Sequence, residues 1–249
     1  MYETLASRAR CTASEAHATD GPRSHTRQPI VTGTSIIAVK YKDGVIMAGD
    51  TLGSYGGLAR FTNVERITKI GSTLVGADGD YSDFQYIKKF LDEMETEEKC
   101  IDDGISYSAN EIAHRLTSLL YYKRSEMNPL WNNLVIAGVS EVDGNMVPFL
   151  STTDKIGTAY EADFIATGFG LHLANPILYD KWKPGMTEDE ARELVAECLR
   201  VCFYRDCRTI NNITFAKASY LEASIEEATQ LTEKWDYTLF KDVNANTVA

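Results

Sequence analysis

Residues 28–50 read QPIVTGTSIIAVKYKDGVIMAGD, which places Gly33-Thr34 at the lip of one apolar run and Asp50 at the close of the next. A threonine hydroxyl is a poor nucleophile until a base takes its proton, and a chain-terminal threonine carries that base as its own α-amine. The amine has an ordinary pKa of about 7.7 to 8.0, and a neighbouring cation lowers it so that more is neutral at working pH. That chemistry requires cleavage before Thr34. Gly33 suits it, because a residue without Cβ lets the backbone bend tightly enough for the hydroxyl to reach the preceding peptide. On two residues alone, the plain alternative is a Gly-Thr strand entrance.

Other reactive residue types are less suggestive. His114 and His172 fall within helical patterns and have no partner at metal spacing. Cys198 and Cys202, four apart on one helix face, could coordinate a metal but read better as small apolar fillers. No metal or cofactor site is expected. The acidic run DEMETEEK at 92–99 reads as a solvated helix end, and the glycines at 76–79 lack the Lys-Ser/Thr that a phosphate loop needs.

The elements that must position Thr34 follow from periodicity. SIIAVKYK and VIMAGD meet across Lys42-Asp43-Gly44, a hairpin signal, and RITKI at 66–70 and TLVGA at 73–77 continue the run to four strands. The period then lengthens: Phe84, Ile87, Leu91 and Met94 share one helix face. A second helix starts near Ser108, with Glu111 as its capping-box partner, and buries Ile112, Leu116, Leu119 and Leu120. Strands return with NLVIAGVS, NMVPFLST and segments around 157–167. A third helix spans about 170–181. A fourth opens at Thr187 with Glu190 three residues on, its buried stripe being Ala191, Leu194, Val195, Cys198 and Cys202, and closing strands lie near 212–218 and 220–225. This order lacks strict βαβ alternation. Two antiparallel sheets face to face, with a helix pair on each outer face, bury every stripe, so the expected class is α+β with a four-layer αββα sandwich.

At 249 residues and 44% apolar the chain can fill a real core. A net charge of −11 without a cluster of five Lys/Arg disfavours nucleic acid and anionic membrane partners. The five cysteines (Cys11, Cys100, Cys198, Cys202, Cys207) show no CxxC pair and fit a reducing compartment. No apolar run approaches the roughly 20 residues of a membrane span, and no apolar secretory signal opens the chain. The expected organisation is a disordered or trimmed leader over 1–28, one domain over 29–233 and an extension over 234–249. The leader's Arg and Ser content is also that of a transit peptide, but Glu3, Glu15 and Asp20 are more acid than such peptides carry.

Thr34, Lys40, Gly44 and Asp50 in TSIIAVKYKDGVIMAGD resemble the opening of a proteasome β subunit, and GADGDYSD at 76–83, ATGFG at 166–170 and YRDCRT at 204–209 fall where such subunits carry site loops and the last long helix. The resemblance spans about residues 29–236 and implies the N-terminal-nucleophile (Ntn) hydrolase fold. DTLGSYGGLARF at 50–61 and RSEMNPLWNN at 124–133 are similar to the non-cutting branch that fills the seventh β position of the eukaryotic ring.

Residue by residue, the site departs from the cutting members. The family's lysine position reads Arg66, whose guanidinium is planar, bulky and permanently charged. The serine between two glycines reads Phe169, which can neither donate nor accept a hydrogen bond and is expected to exclude water. Asp50 and Asp206 persist and are expected to bond neighbouring backbone and Arg66; a following serine position reads Thr209. Two polar roles are lost together, and single catalytic contacts of this kind are worth roughly 2.7 to 4 kcal/mol each. Thr34, Asp50, Arg66, Phe169, Asp206 and Thr209 thus form a vestigial nucleophile site with no catalytic residue. The resemblance also implies a cut by a neighbouring active subunit within His25, Thr26, Arg27 and Gln28, which leaves Thr34 an amide.

The resemblance further implies a structural subunit of the 20S core particle, in the cytoplasm and nucleus, that helps wall the chamber where ubiquitin-tagged and unfolded proteins are degraded. Its partners are β subunits of the same and the opposite ring, α subunits and assembly chaperones, with no nucleic acid and no membrane. Trp235, Tyr237 and Phe240 are the expected inter-ring anchors, large aromatics being dominant in interfaces; a tail covering its own domain is the alternative. Two rival readings remain, an active threonine endopeptidase that begins at Thr34 and a free-standing amidohydrolase of the same fold.

Overall fold

A computed structural model describes residues 28–101, 103–104, 106–142, 145–220 and 222–233. The leader expected over 1–28, apart from its exposed last residue Gln28, and the extension 234–249 lie outside the described residues.

Fifteen strands and five helices follow one another among them. Eight strands come first: β1 Val31–Gly33, β2 Ile36–Tyr41, β3 Gly44–Asp50, β4 Gly53–Tyr55, β5 Leu58–Phe61, β6 Ile67–Ile70, β7 Thr73–Ala77 and β8 Gly79–Asp80. Helices α1 Tyr81–Ile101 and α2 Ala109–Ser125 lead to β9 Leu134–Val142, β10 Asn145–Thr153, β11 Ala159–Glu161 and β12 Phe164–Ala166. Then come α3 Gly170–Leu173, α4 Asn175–Lys181, α5 Glu188–Arg205, β13 Asn212–Ser219, β14 Ala223–Ile225 and β15 Thr229–Gln230.

The strands form three antiparallel sheets. One runs β12-β2-β3-β13-β14 with β15 also on β13, and a second runs β11-β10-β9-β7-β6. The third, β5-β4-β1-β8, is a small sheet on the residues that precede and follow the β2–β3 hairpin. The expected count of four early strands is therefore corrected to eight. The additional four are two to four residues long, too short for any alternation to announce them.

Burial explains the stacking. Ile36, Ala38, Val45 and Met47 point from the first sheet at Leu74, Val135, Ala137 and Leu150 of the second, a core between sheets. Ile37, Val39, Ile46 and Phe215, on the alternate positions, meet Leu178, Leu194, Val195 and Cys198 of α4 and α5. Val75, Leu134, Ile136 and Phe149 likewise meet Ile87, Leu91, Ile112 and Leu116 of α1 and α2. The expected stripes are buried except Leu119, which is half-buried because Ala113 takes the place beside Leu116 and Leu120. Both capping boxes form: Ser108 and Thr187 accept from the backbone of Glu111 and Glu190, whose carboxylates bond back. The expected single helix over 170–181 divides at Ala174, with Pro176 in the first turn of α4, where a proline costs no hydrogen bond.

Candidate functional site

Arg66 stands just before β6, and its side chain turns inward until only 3% is exposed. Nη1 donates to the Asp50 carboxylate in a close contact and to Asp50 O at 3.4 Å. Nη2 donates to Thr34 O at 2.5 Å, Ser35 O at 3.3 Å and Ala77 O at 3.3 Å. One cation thereby fastens the β1–β2 junction, the end of β3 and the end of β7. A planar fork with several fixed donors can do this, whereas an ammonium on a flexible stem would reach fewer of these acceptors. Burial pushes the Asp50 carboxyl up to about 6 against the opposing pull of the Arg66 charge and the Ile210 amide, with Asp206 adding a smaller upward push. At neutral pH the Asp50 carboxyl is therefore mostly ionised.

Thr34 lies between β1 and β2, 9% exposed, and its Oγ1 has no partner among the described residues. The residues before it are part of the architecture. β1 lies between β4 and β8, pairing Thr32 with Ser54 and Gly33 with Gly79, and Ile30 N donates to Asp80 Oδ2 at 2.8 Å. A Cβ on Gly33 would collide with Arg66 Nε, so glycine at 33 makes room for the guanidinium. The charged side chain bonded to the Thr34 backbone is thus a permanent cation, which cannot take a proton from a hydroxyl. An α-amine at Thr34 exists only if the strand in front of it is cut away.

The ATGFG loop packs directly on this junction. Ile36 N donates to Thr167 Oγ1 at 3.1 Å and Gly170 N to Ser35 Oγ at 2.7 Å. Gly168 has φ +57° and its bare Cα faces the Thr34 carbonyl, so a side chain there is opposed by both backbone conformation and space. Phe169 is 56% exposed, which corrects the expectation that its ring excludes water from the Thr34 site; the tight loop turns it outward. Asp206 caps α5 and accepts from Arg208 N at 2.9 Å, and its Oδ2 is buried with no hydrogen-bond partner among the described residues. Its expected bond to Arg66 is not made. Thr209 is half-buried and its hydroxyl reaches only Ile210 O, at 3.4 Å.

A second group escaped the sequence reading. Asn132 Nδ2 donates to Asp78 O at 2.7 Å and Asp80 O at 2.8 Å, while Asn133 gives its N–H and Nδ2 to the Asp78 carboxylate at 2.9 to 3.0 Å. Trp131 N donates to Asp83 Oδ2 at 2.8 Å, and Asp80 N to Trp131 O at 2.8 Å. Burial holds the Asp78 carboxyl above the ordinary range, opposed by the two Asn133 bonds. This loop pins the β7–β8 turn behind Arg66. Side-chain to backbone bonds between distant segments have no periodicity, and the WNN letters of RSEMNPLWNN were its sole trace.

His114 and His172 are exposed. Cys198 and Cys202 are buried fillers, and burial pushes their thiols up to about 12 and about 11. The acidic run is not simply solvated: Met94 is buried, Glu95 pairs with Lys99 and Glu98 accepts from Tyr107 N. Among the described residues no three His, Cys, Asp or Glu gather as a metal site, and no helix is long and apolar enough to cross a membrane. Trp235, Tyr237, Phe240, His25, Thr26 and Arg27 lie outside the described residues.

A family model described as "Proteasome subunit" matches residues 30–218. The chain is 44% identical over 219 residues to the proteasome subunit beta type-4 of Xenopus laevis, covering 87% of this chain and 89% of that one. It is 42% identical over 221 residues to the Arabidopsis thaliana protein of the same name, covering 88% of each chain, and 45% identical over 201 residues to that of Dictyostelium discoideum, covering 80% and 76%.

Proposed function

The chain belongs to the proteasome subunit family, and on that premise we propose that it is a structural, non-catalytic β subunit of the 20S core particle, of type 4. One observation carries the reading: the Arg66 guanidinium is bound to both Asp50 and the Thr34 carbonyl, while residues 31–33 run as a strand between β4 and β8. Joined to Gly33, Thr34 has no free α-amine, and its Oγ1 has no hydrogen-bond partner among the described residues. The hydroxyl is a relic of a nucleophile, and the surrounding aspartates are scaffolding.

We read the succession of helices, sheet, sheet and helices as the four-layer αββα sandwich of the Ntn hydrolases. The subunit contributes to assembly and to the walls of the chamber in which ubiquitin-tagged and unfolded proteins are degraded, in the cytoplasm and nucleus. Its neighbours are β subunits in its own and the opposite ring, α subunits, and assembly chaperones during construction. The extension with Trp235, Tyr237 and Phe240 is the inter-ring contact.

The test is purification of the tagged chain from its native cells, followed by gel filtration and intact mass. We expect a very large particle with co-purifying proteasome subunits, and a mature chain that starts upstream of Thr34, within residues 25–28. A small oligomer of this chain alone would favour a free-standing amidohydrolase instead.

A further inference from the structure

We infer that a single ordered water is built into this chain between Arg66 and Asn132. Two buried polar atoms behind the Thr34 site have no hydrogen-bond partner among the described residues, Arg66 Nε–H, a donor, and Asn132 Oδ1, an acceptor. Their residues are 4% and 2% exposed. The rest of each side chain is committed. Both Nη atoms of Arg66 are bonded, and Asn132 Nδ2 is held by two carbonyls, which also fixes which end of the amide is oxygen.

Both residues line one cavity of about 10 Å3, whose walls include Gly33, Val64 and Asp80. That is room for one water and too little for a phosphate, a carboxylate or any organic ligand. A water there accepts from Nε–H and donates to Oδ1, so one molecule satisfies two groups that are costly to bury unpaired. Its second hydrogen is free for another acceptor of the wall. The bridge joins the cation that holds Thr34 and Asp50 to the loop that holds β8, and makes them one hydrogen-bonded unit.

The test is a map of the assembled particle, by crystallography or electron cryo-microscopy, at a resolution that shows ordered solvent. We expect one peak within about 3.2 Å of both Arg66 Nε and Asn132 Oδ1. No peak there while other buried waters are visible, or the two side chains in direct contact, overturns the inference. In the Arg66→Lys particle the donor is gone, and the peak should lose most of its height or move away. A peak unchanged in place and height would show that the water does not depend on Nε, and would equally overturn the bridge. If that variant is not incorporated into particles, the native map decides.

Discussion

Gly33 and Arg66 compete for one volume: a β-carbon on residue 33 would fall on the Nε of residue 66. The glycine that reads in the sequence as freedom for self-cleavage is, in the folded chain, a seat for a guanidinium. Gly33→Ala must push the fork off Thr34 O and the Asp50 carboxylate or bend β1 out of its sheet. We expect a loss of about 1–3 kcal/mol, the usual range for overpacking, measured by urea unfolding.

Truncating the cation should do more. Arg66→Met leaves the Asp50 carboxylate buried without a counter-charge, which costs about 3–5 kcal/mol. The double variant Arg66→Met with Asp50→Leu should recover much of that loss, because an apolar pair of similar volume removes both charges together. Denaturant unfolding of the two single variants and the double completes the cycle.

Asp50 also predicts a pH dependence. With its folded carboxyl pushed up to about 6 and an ordinary value near 4 when unfolded, the native state holds the extra proton between those limits. Stability therefore falls as pH rises wherever the native state binds more protons, so this group's contribution grows as pH drops from about 7 to about 4. Unfolding curves across that window should show the native chain gaining on Asp50→Asn as the solution is acidified. A difference that stays constant would mean that Asp50 titrates normally.

The helix caps give a milder expectation. Ser108→Ala and Thr187→Ala each remove a side chain that accepts from the third residue of its helix, and each should cost about 1 kcal/mol. Circular dichroism thermal melts of the two variants measure it.

Thiol chemistry separates the cysteines. Cys100 and Cys207 are exposed, whereas Cys198 and Cys202 are sealed under α5 with thiols that burial keeps protonated. Maleimide at pH 7 should label Cys100 and Cys207 of the folded isolated chain and reach Cys198 and Cys202 only after denaturant is added, as read by peptide mass spectrometry.

What could be read beforehand follows from what leaves a period. The β2–β3 hairpin, the stripe from Phe84 to Met94 and both capping boxes are patterns of local spacing, and they form as read. Arg66 and Asp50 were legible as a pair because resemblance aligned one with a lysine position and left the other in place. The small sheet around β1 was not, since strands of two to four residues have no alternation to detect. Asn132 and Asn133 were missed because their bonds join segments more than 50 residues apart. Phe169 was misread because polarity says what a side chain cannot do, not which way a loop at φ +57° will turn it.

The most direct test of an inert Thr34 is exposure of the purified particle to a threonine-directed covalent inhibitor, followed by peptide mass spectrometry of every β chain. An inert Thr34 should stay unmodified, still joined to Gly33 through its amide, while adducts form on other subunits. An adduct on Thr34 Oγ1, in a chain whose first residue is that threonine, would contradict it.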